Sequence, residues 1–227
     1  MKKIFLLLGL FACVFSGTLL MINQHADASI EKIIDTNFAS IAEKINQEIS
    51  LRTELAGSSN PYDYIRDNQD FNEIVSLGND ALPYLHAKLM DSPNDGLHAY
   101  ITAIAIESIA KVDLKQEEST KWETAKGFIK NWGKYLSSIP ASVDRIAADT
   151  SISLEEKAKR LTTLGTPALP FILDKIAAGD EEIFPAVVEL TKTSKDAATE
   201  NIINKKAWAT EHQDSYNELK KYVLANK

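Results

Sequence analysis

Cysteine is almost missing from this 227-residue chain. The single one, Cys13, sits in the first apolar stretch. Nothing after it can form a disulfide, a thiolate zinc site or a cysteine nucleophile. Glycine (9) and proline (7) are scarce, so turns are few and long helices are expected. Histidine occurs at His25, His86, His98 and His212, in no H-E-x-x-H or i, i+4 pair. His86 and His98 flank one helix hairpin and read as two surface histidines. No Walker loop, G-x-S-x-G or G-x-G-x-x-G is present. Positive charge is also in deficit: the net charge is −7, a surface that repels phosphate backbones and argues against nucleic acid as a partner. "DSPNDG" (91–96) fails as a calcium loop, because Pro93 stands where an oxygen ligand belongs and Thr102 takes the place of the twelfth-position Glu. The sequence therefore proposes no metal, no cofactor and no catalytic residue.

What is present is apolar periodicity, with 44% hydrophobic and 25% charged residues, the balance of a globular chain. "MKKIFLLLGLFACVFSGTLLMI" places two lysines before nineteen largely apolar residues, 4–22. Ala26 and Ala28 then stand at the −3 and −1 positions of a cleavage site before Ser29. Residues 1–28 read as an export signal, and three fates stay open: retention as a membrane anchor, cleavage between Ala28 and Ser29, or lipid modification at Cys13. In each the bulk of the chain lies outside the cytoplasm, because Lys2 and Lys3 hold the N-terminus inside. Loss of residues 1–28 would leave a net charge of −8.

Residues 29–56 read as one amphipathic helix, a cap or a stalk, with Ile30, Ile34, Phe38, Ile41, Ile45 and Ile49 at steps of three and four. "AGSSNP" (56–61) is a linker. "NPYDYIRDNQDFNEIVSLG" follows, with Asn60 as N-cap, Pro61 at the first helical position and Gly78 as the left-handed stop. The phrase "LGNDALPYLHAKL" (77–89) then returns as "LGTPALPFILDKI" (164–176). Its physical content is a corner: a glycine ends one helix, Asn79 or Thr166 caps the next, and Pro83 or Pro170 falls in the first turn, where a missing N–H costs nothing. "TKWETAKGFIKNWGKYL" suggests a capping box from Thr120 to Glu123 and a stripe through Trp122, Phe128, Trp132 and Leu136. Asp180 serves as a further cap, and the last helix carries Trp208, His212, Tyr216, Leu219 and Val223 on one face. Two modules of about four helices result, 61–140 and 141–227, with a helix pair every 40-odd residues.

The LG-x-x-ALP corner followed by an apolar helix resembles HEAT-like repeats. Together, "NPYDYI", "LGNDALPYL", "AIAIESI" and "WETAKGFI" resemble a family of uncharacterised exported bacterial HEAT-like proteins over most of 60–190. The second copy lacks the NPYDYI start. The resemblance implies an all-α fold, an α-α superhelix of helix pairs, and scaffold or binding roles with no catalytic residues to carry over.

The expected function is accordingly a non-enzymatic protein-interaction module outside the cytoplasmic membrane. Its partner would be another protein, with the membrane engaged through residues 1–28 if they are retained. Tyr62 and Tyr64, at a helix start beside a linker, are the candidate partner-binding residues. Two alternatives stand beside it. One is a glycan-binding or glycan-processing envelope protein that uses carboxylates such as Asp63 and Glu182 in an aromatic groove. The other is a structural spacer with 29–56 as its stalk.

Overall fold

The computed structural model describes residues 28–92, 94–194 and 197–226. Cys13, Ala26 and nearly all of the export segment lie outside the described residues; Ala28 and Ser29 form the exposed start of a helix. The chain is all-helical, with no strand among the described residues. No described helix is long and apolar enough to cross a membrane.

The first helix, α1, covers 28–51 and lays its stripe on the fold. Ile34, Phe38 and Ile41 are buried, Ile30 and Ile45 half-buried, and Ile49 exposed. It ends five residues before the expected 56. Arg52 turns left-handed (φ 51°) and Leu55–Gly57 forms a single 3-10 turn. Polar contacts fix it to its neighbours: Lys88 and Tyr84 donate to Asp35 (2.6 and 3.0 Å), and Ser40 and Lys44 donate to Asp70 (2.8 and 2.7 Å).

The next stretch is two helices rather than one. α2 (Pro61–Ile65) starts on Asn60, whose side chain accepts the Tyr62 N–H. α3 (Gln69–Ser76) starts on Asn68, which accepts from Phe71. Between them Asp67 sits at φ 55°. Asp and Asn tolerate that conformation and cap helices, so "RDN" supports a break that the apolar period alone does not reveal.

Both corners turn on left-handed glycines, Gly78 (φ 69°) and Gly165 (φ 64°). The helices they start are α4 (Leu82–Met90) and, later, α8 (Leu169–Ala178), each with proline in its first turn. Asn79 and Thr166 do not cap these helices. Each lies in a short 3-10 turn, and the Thr166 hydroxyl instead donates to the Ile109 carbonyl at 3.4 Å.

α5 (Leu97–Ala110) is buried on most sides and packs against α2, α3 and α4. α6 (Ala125–Ala148) begins five residues after the proposed Thr120 cap. Thr124 caps it by accepting from Gly127, while the Thr120 hydroxyl donates to the Leu114 carbonyl at 2.7 Å. The proposed module boundary at 140/141 falls inside α6, which runs through Pro140. "VDRI" (143–146) lies within the last two turns of α6, and its Val143 and Ile146 are buried. α7 (Leu154–Thr163), α9 (Phe184–Thr191), α10 (Lys205–His212) and α11 (Asn217–Ala225) complete the chain. Asp180 makes no side-chain cap, and a 3-10 turn (Gln213–Tyr216) divides the expected last helix in two.

Neighbour relations follow a pattern. α3 lies beside α5 and α7 beside α9, while α4, α6, α8 and α10 form a second series, each touching the next or the next but one; α11 lies across α6 and α8. One continuous hydrophobic core runs through all of them.

Candidate functional site

Glu107 stands alone in the apolar run "AIAIESIA" and is only 6% exposed. Its Oε1 accepts from the Leu114 N–H (2.9 Å) and from Trp122 Nε1 (3.0 Å). The carboxylate thus ties the irregular segment 111–124 back onto α5. Trp122 lies outside the helix it was assigned to, yet it is buried, because this bond and the edge of Phe128 hold it there. Burial pushes the Glu107 pKa above its ordinary value, against the hydrogen bonds from Trp122 and Leu114 that lower it.

A folded-state pKa raised above the unfolded one means that the native state binds more protons between the two values. Glu107 therefore adds stability at low pH that is lost as pH rises from about 4.5 through the raised pKa. Glu107→Gln keeps an Oε1 acceptor for both donors and removes the buried charge. It is expected to raise the melting temperature by a few degrees at pH 7 and by nothing at pH 4. Melts followed by circular dichroism at both pH values check this, and an equal gain at the two would count against the charge as the cause.

Above that buried bond, Lys115 projects into three aromatic rings. Its Nζ lies 3.9 Å from the Trp122 ring centroid, 4.8 Å from that of Tyr100 and 5.3 Å from that of Tyr62. It donates to the hydroxyls of Tyr100 (2.6 Å) and Tyr62 (3.4 Å). Cation–π attraction of this kind contributes about 0.5–2 kcal/mol depending on desolvation. Desolvation works against the ammonium, but the Tyr100 hydrogen bond and the Tyr62 contact outweigh it and hold the pKa above the usual lysine value. Lys115 makes no ion pair with a carboxylate among the described residues.

The two sequence candidates fare differently. Tyr62 is 42% exposed, with its ring centroid 5.3 Å from Lys115 Nζ and its hydroxyl 3.4 Å from the same nitrogen. Tyr64 is half-buried against the core, and its hydroxyl donates to the Ser58 carbonyl at 3.0 Å. Its contacts are those of a residue that fastens the linker.

The carboxylates proposed for a glycan groove are engaged separately. Asp63 accepts from Ser58 (2.6 Å) and Arg66 (2.8 Å), and Glu182 pairs with Lys157 (3.4 Å). No group of three or more His, Cys, Asp or Glu is placed to hold a metal among the described residues. Asp95, from the rejected calcium loop, accepts from the Lys126 N–H at 2.8 Å and so serves the start of α6.

His86 is not a surface residue. It is 4% exposed, its ring meets the edge of Tyr222 at 5.9 Å, and its Nε2 has no hydrogen-bond partner. Burial lowers its pKa. His98 is exposed with its ring on Phe38 (4.8 Å), so the two histidines have different ring partners.

Lys115 and Tyr100 carry no local sign of their role in the sequence. Glu107 does: a lone acid in a run of isoleucine and alanine is either an error of register or a buried, hydrogen-bonded carboxylate. Comparison with family models, with curated proteins and with solved structures gives no match to this chain.

Proposed function

We propose that this chain is a non-enzymatic protein-interaction module exposed outside the cytoplasmic membrane, built from HEAT-like helix pairs stacked as a short α-α superhelix. Contacts of α3 with α5, of α7 with α9, and of α4 with α6, α6 with α8 and α8 with α10 support the stacking. The observation that carries the interaction reading is Tyr62. It is an aromatic ring exposed at the surface with Lys115 beside it, and tyrosine is enriched at binding hot spots.

The test is photo-cross-linking in the protein's own cells. A benzophenone side chain replaces Tyr62 in one version and exposed Lys206, on α10, in another. The expected result is one discrete protein adduct from position 62 and none of that mass from position 206. Tyr62→Ala should weaken recovery of the same partner by about tenfold or more, the size of a hot-spot truncation, with helicity unchanged. Loss of helicity, or the same adducts from both positions, would return Tyr62 to a structural role.

A further inference from the structure

Among the described residues, two buried side-chain polar atoms have no hydrogen-bond partner, His86 Nε2 and Asn79 Oδ1. Both lie where α11 closes over the first corner. Asn79, in the 3-10 turn before α4, lines an open groove of about 740 Å³ with Tyr84 and with Leu219 and Tyr222 of α11. His86, further along α4, meets the edge of the Tyr222 ring at 5.9 Å. Buried polar atoms are normally paired, so two orphans on one seam make it the least satisfied contact of the fold. α11 itself is short, nine residues, of which Leu219, Tyr222 and Val223 are buried. So short a helix has little stability of its own and keeps its place through that packing.

The charged and titratable groups of the surrounding elements are engaged elsewhere. On α1, Asp35 accepts from Lys88 and Tyr84, and Glu31 is exposed. On α5, Glu107 accepts from Leu114 and Trp122, while His98 lies exposed on Phe38. α6 sends Trp132 to the seam, and its Nε1 donates to the Tyr222 hydroxyl at 2.7 Å. On α11, Glu218 holds Lys221 (2.7 Å), and Lys220 reaches away to Asp174 on α8 (2.6 Å). Burial raises the Tyr222 pKa, so that hydroxyl stays neutral. Asp80, at the corner, is exposed. Burial alone lowers the His86 pKa, with no contribution from a charged neighbour.

We propose that His86 is a proton-operated latch, which keeps α11 seated on α4 at neutral pH and releases it on acidification. Protonation puts an N–H on both ring nitrogens, and the Nε2–H would find no acceptor inside the closed seam. Opening gives it water. Because the folded-state pKa lies below the ordinary 6.5, the closed state binds fewer protons than one with the ring in water. Seam stability is therefore full above about pH 6.5, falls as pH drops below it, and levels off beneath the folded value. A state whose ring titrates at 6.5 gains a factor of up to about ten over the closed one between pH 7.5 and 5.5. The inference is independent of the partner read at Tyr62.

Amide hydrogen exchange of the purified full chain, corrected for the intrinsic rate at each pH, tests it between pH 7.5 and 5.5. Protection over 217–225 is expected to fall about five- to tenfold in the wild type, and under about twofold in α5. His86→Phe fills the place of the ring and cannot titrate. It should keep the α11 protection at pH 7.5 and remove its pH dependence. His86→Leu makes the same comparison with a smaller side chain, and the wild-type profile stands without either variant. A wild-type α11 whose protection does not change with pH would overturn the latch. So would an equal loss in α5, which is global unfolding, or the same pH dependence in the His86 variants.

Discussion

Gly165→Ala is expected to lower the melting temperature about two to three times as much as Gly78→Ala, although the two glycines occupy the same position of the same repeated phrase. Both adopt positive φ, 64° and 69°, and both would strain an alanine backbone. At Gly78 nothing lies within 4 Å of where a Cβ would go, so the backbone term stands alone, about 1–2 kcal/mol. At Gly165 a Cβ would meet the Ala110 carbonyl oxygen at 2.2 Å and Val112 Cγ1 at 2.4 Å. Its ψ of −173° also places it in a region reserved for glycine. Backbone strain and overpacking of rigid atoms together come to about 4 kcal/mol. For a domain of this size that is roughly 10 °C, against about 3–5 °C at Gly78. Thermal unfolding of the two variants side by side is the measurement, and equal losses would mean that the second corner does not press on the end of α5.

Trp132→Ala should cost as much or more. Trp132 is 0% exposed, stacks on Phe128 and Tyr135 with centroids 5.6 Å away on each side, and donates through Nε1 to the Tyr222 hydroxyl at 2.7 Å. Truncating a buried tryptophan removes about 3–5 kcal/mol, and the Tyr222 hydroxyl loses its donor as well. Because Trp132 sits on α6 and Tyr222 on α11, the loss should fall unevenly. Amide hydrogen exchange over 217–225 is expected to accelerate more than exchange in α5. Trp132→Phe isolates the hydrogen bond: it keeps most of the ring contact and should cost about 1–3 kcal/mol. If Tyr222→Phe proves additive with it, the two residues do not act through that bond.

These two variants also show where reading residues in order succeeds and where it stops. The fold class was legible in the chain, because helical periodicity is a local property. Ile34, Phe38 and Ile41 are buried at the spacing that marks them, and the stripe Phe128, Trp132, Leu136 continues inward through Ile139 and Val143. The corner was legible too: a left-handed glycine followed by a first-turn proline leaves the backbone little choice, whatever surrounds it. The lone Glu107 among isoleucines was passed over in the sequence reading, and its burial and partners come from the structure.

Choices among locally equivalent options were decided only by the tertiary structure. Thr120 and Thr124 are both competent caps; Thr120 is drawn off to the Leu114 carbonyl, and the helix starts on Thr124. The proposed boundary at 140/141 vanished because α6 continues across it, its buried stripe unbroken on either side of Pro140. His86 is buried by α11, which arrives more than 130 residues later in the chain. The ring set around Lys115 draws Tyr62, Tyr100 and Trp122 from three separate segments, none of which carries a signal for it alone. Sequence by itself determined the helical stripes, since those depend on neighbours three and four positions away, but not the burial of single residues such as His86 or the exposure of Ile49. Which inward or surface residues meet one another depends on contacts dozens of residues apart, and only the packed structure specifies those.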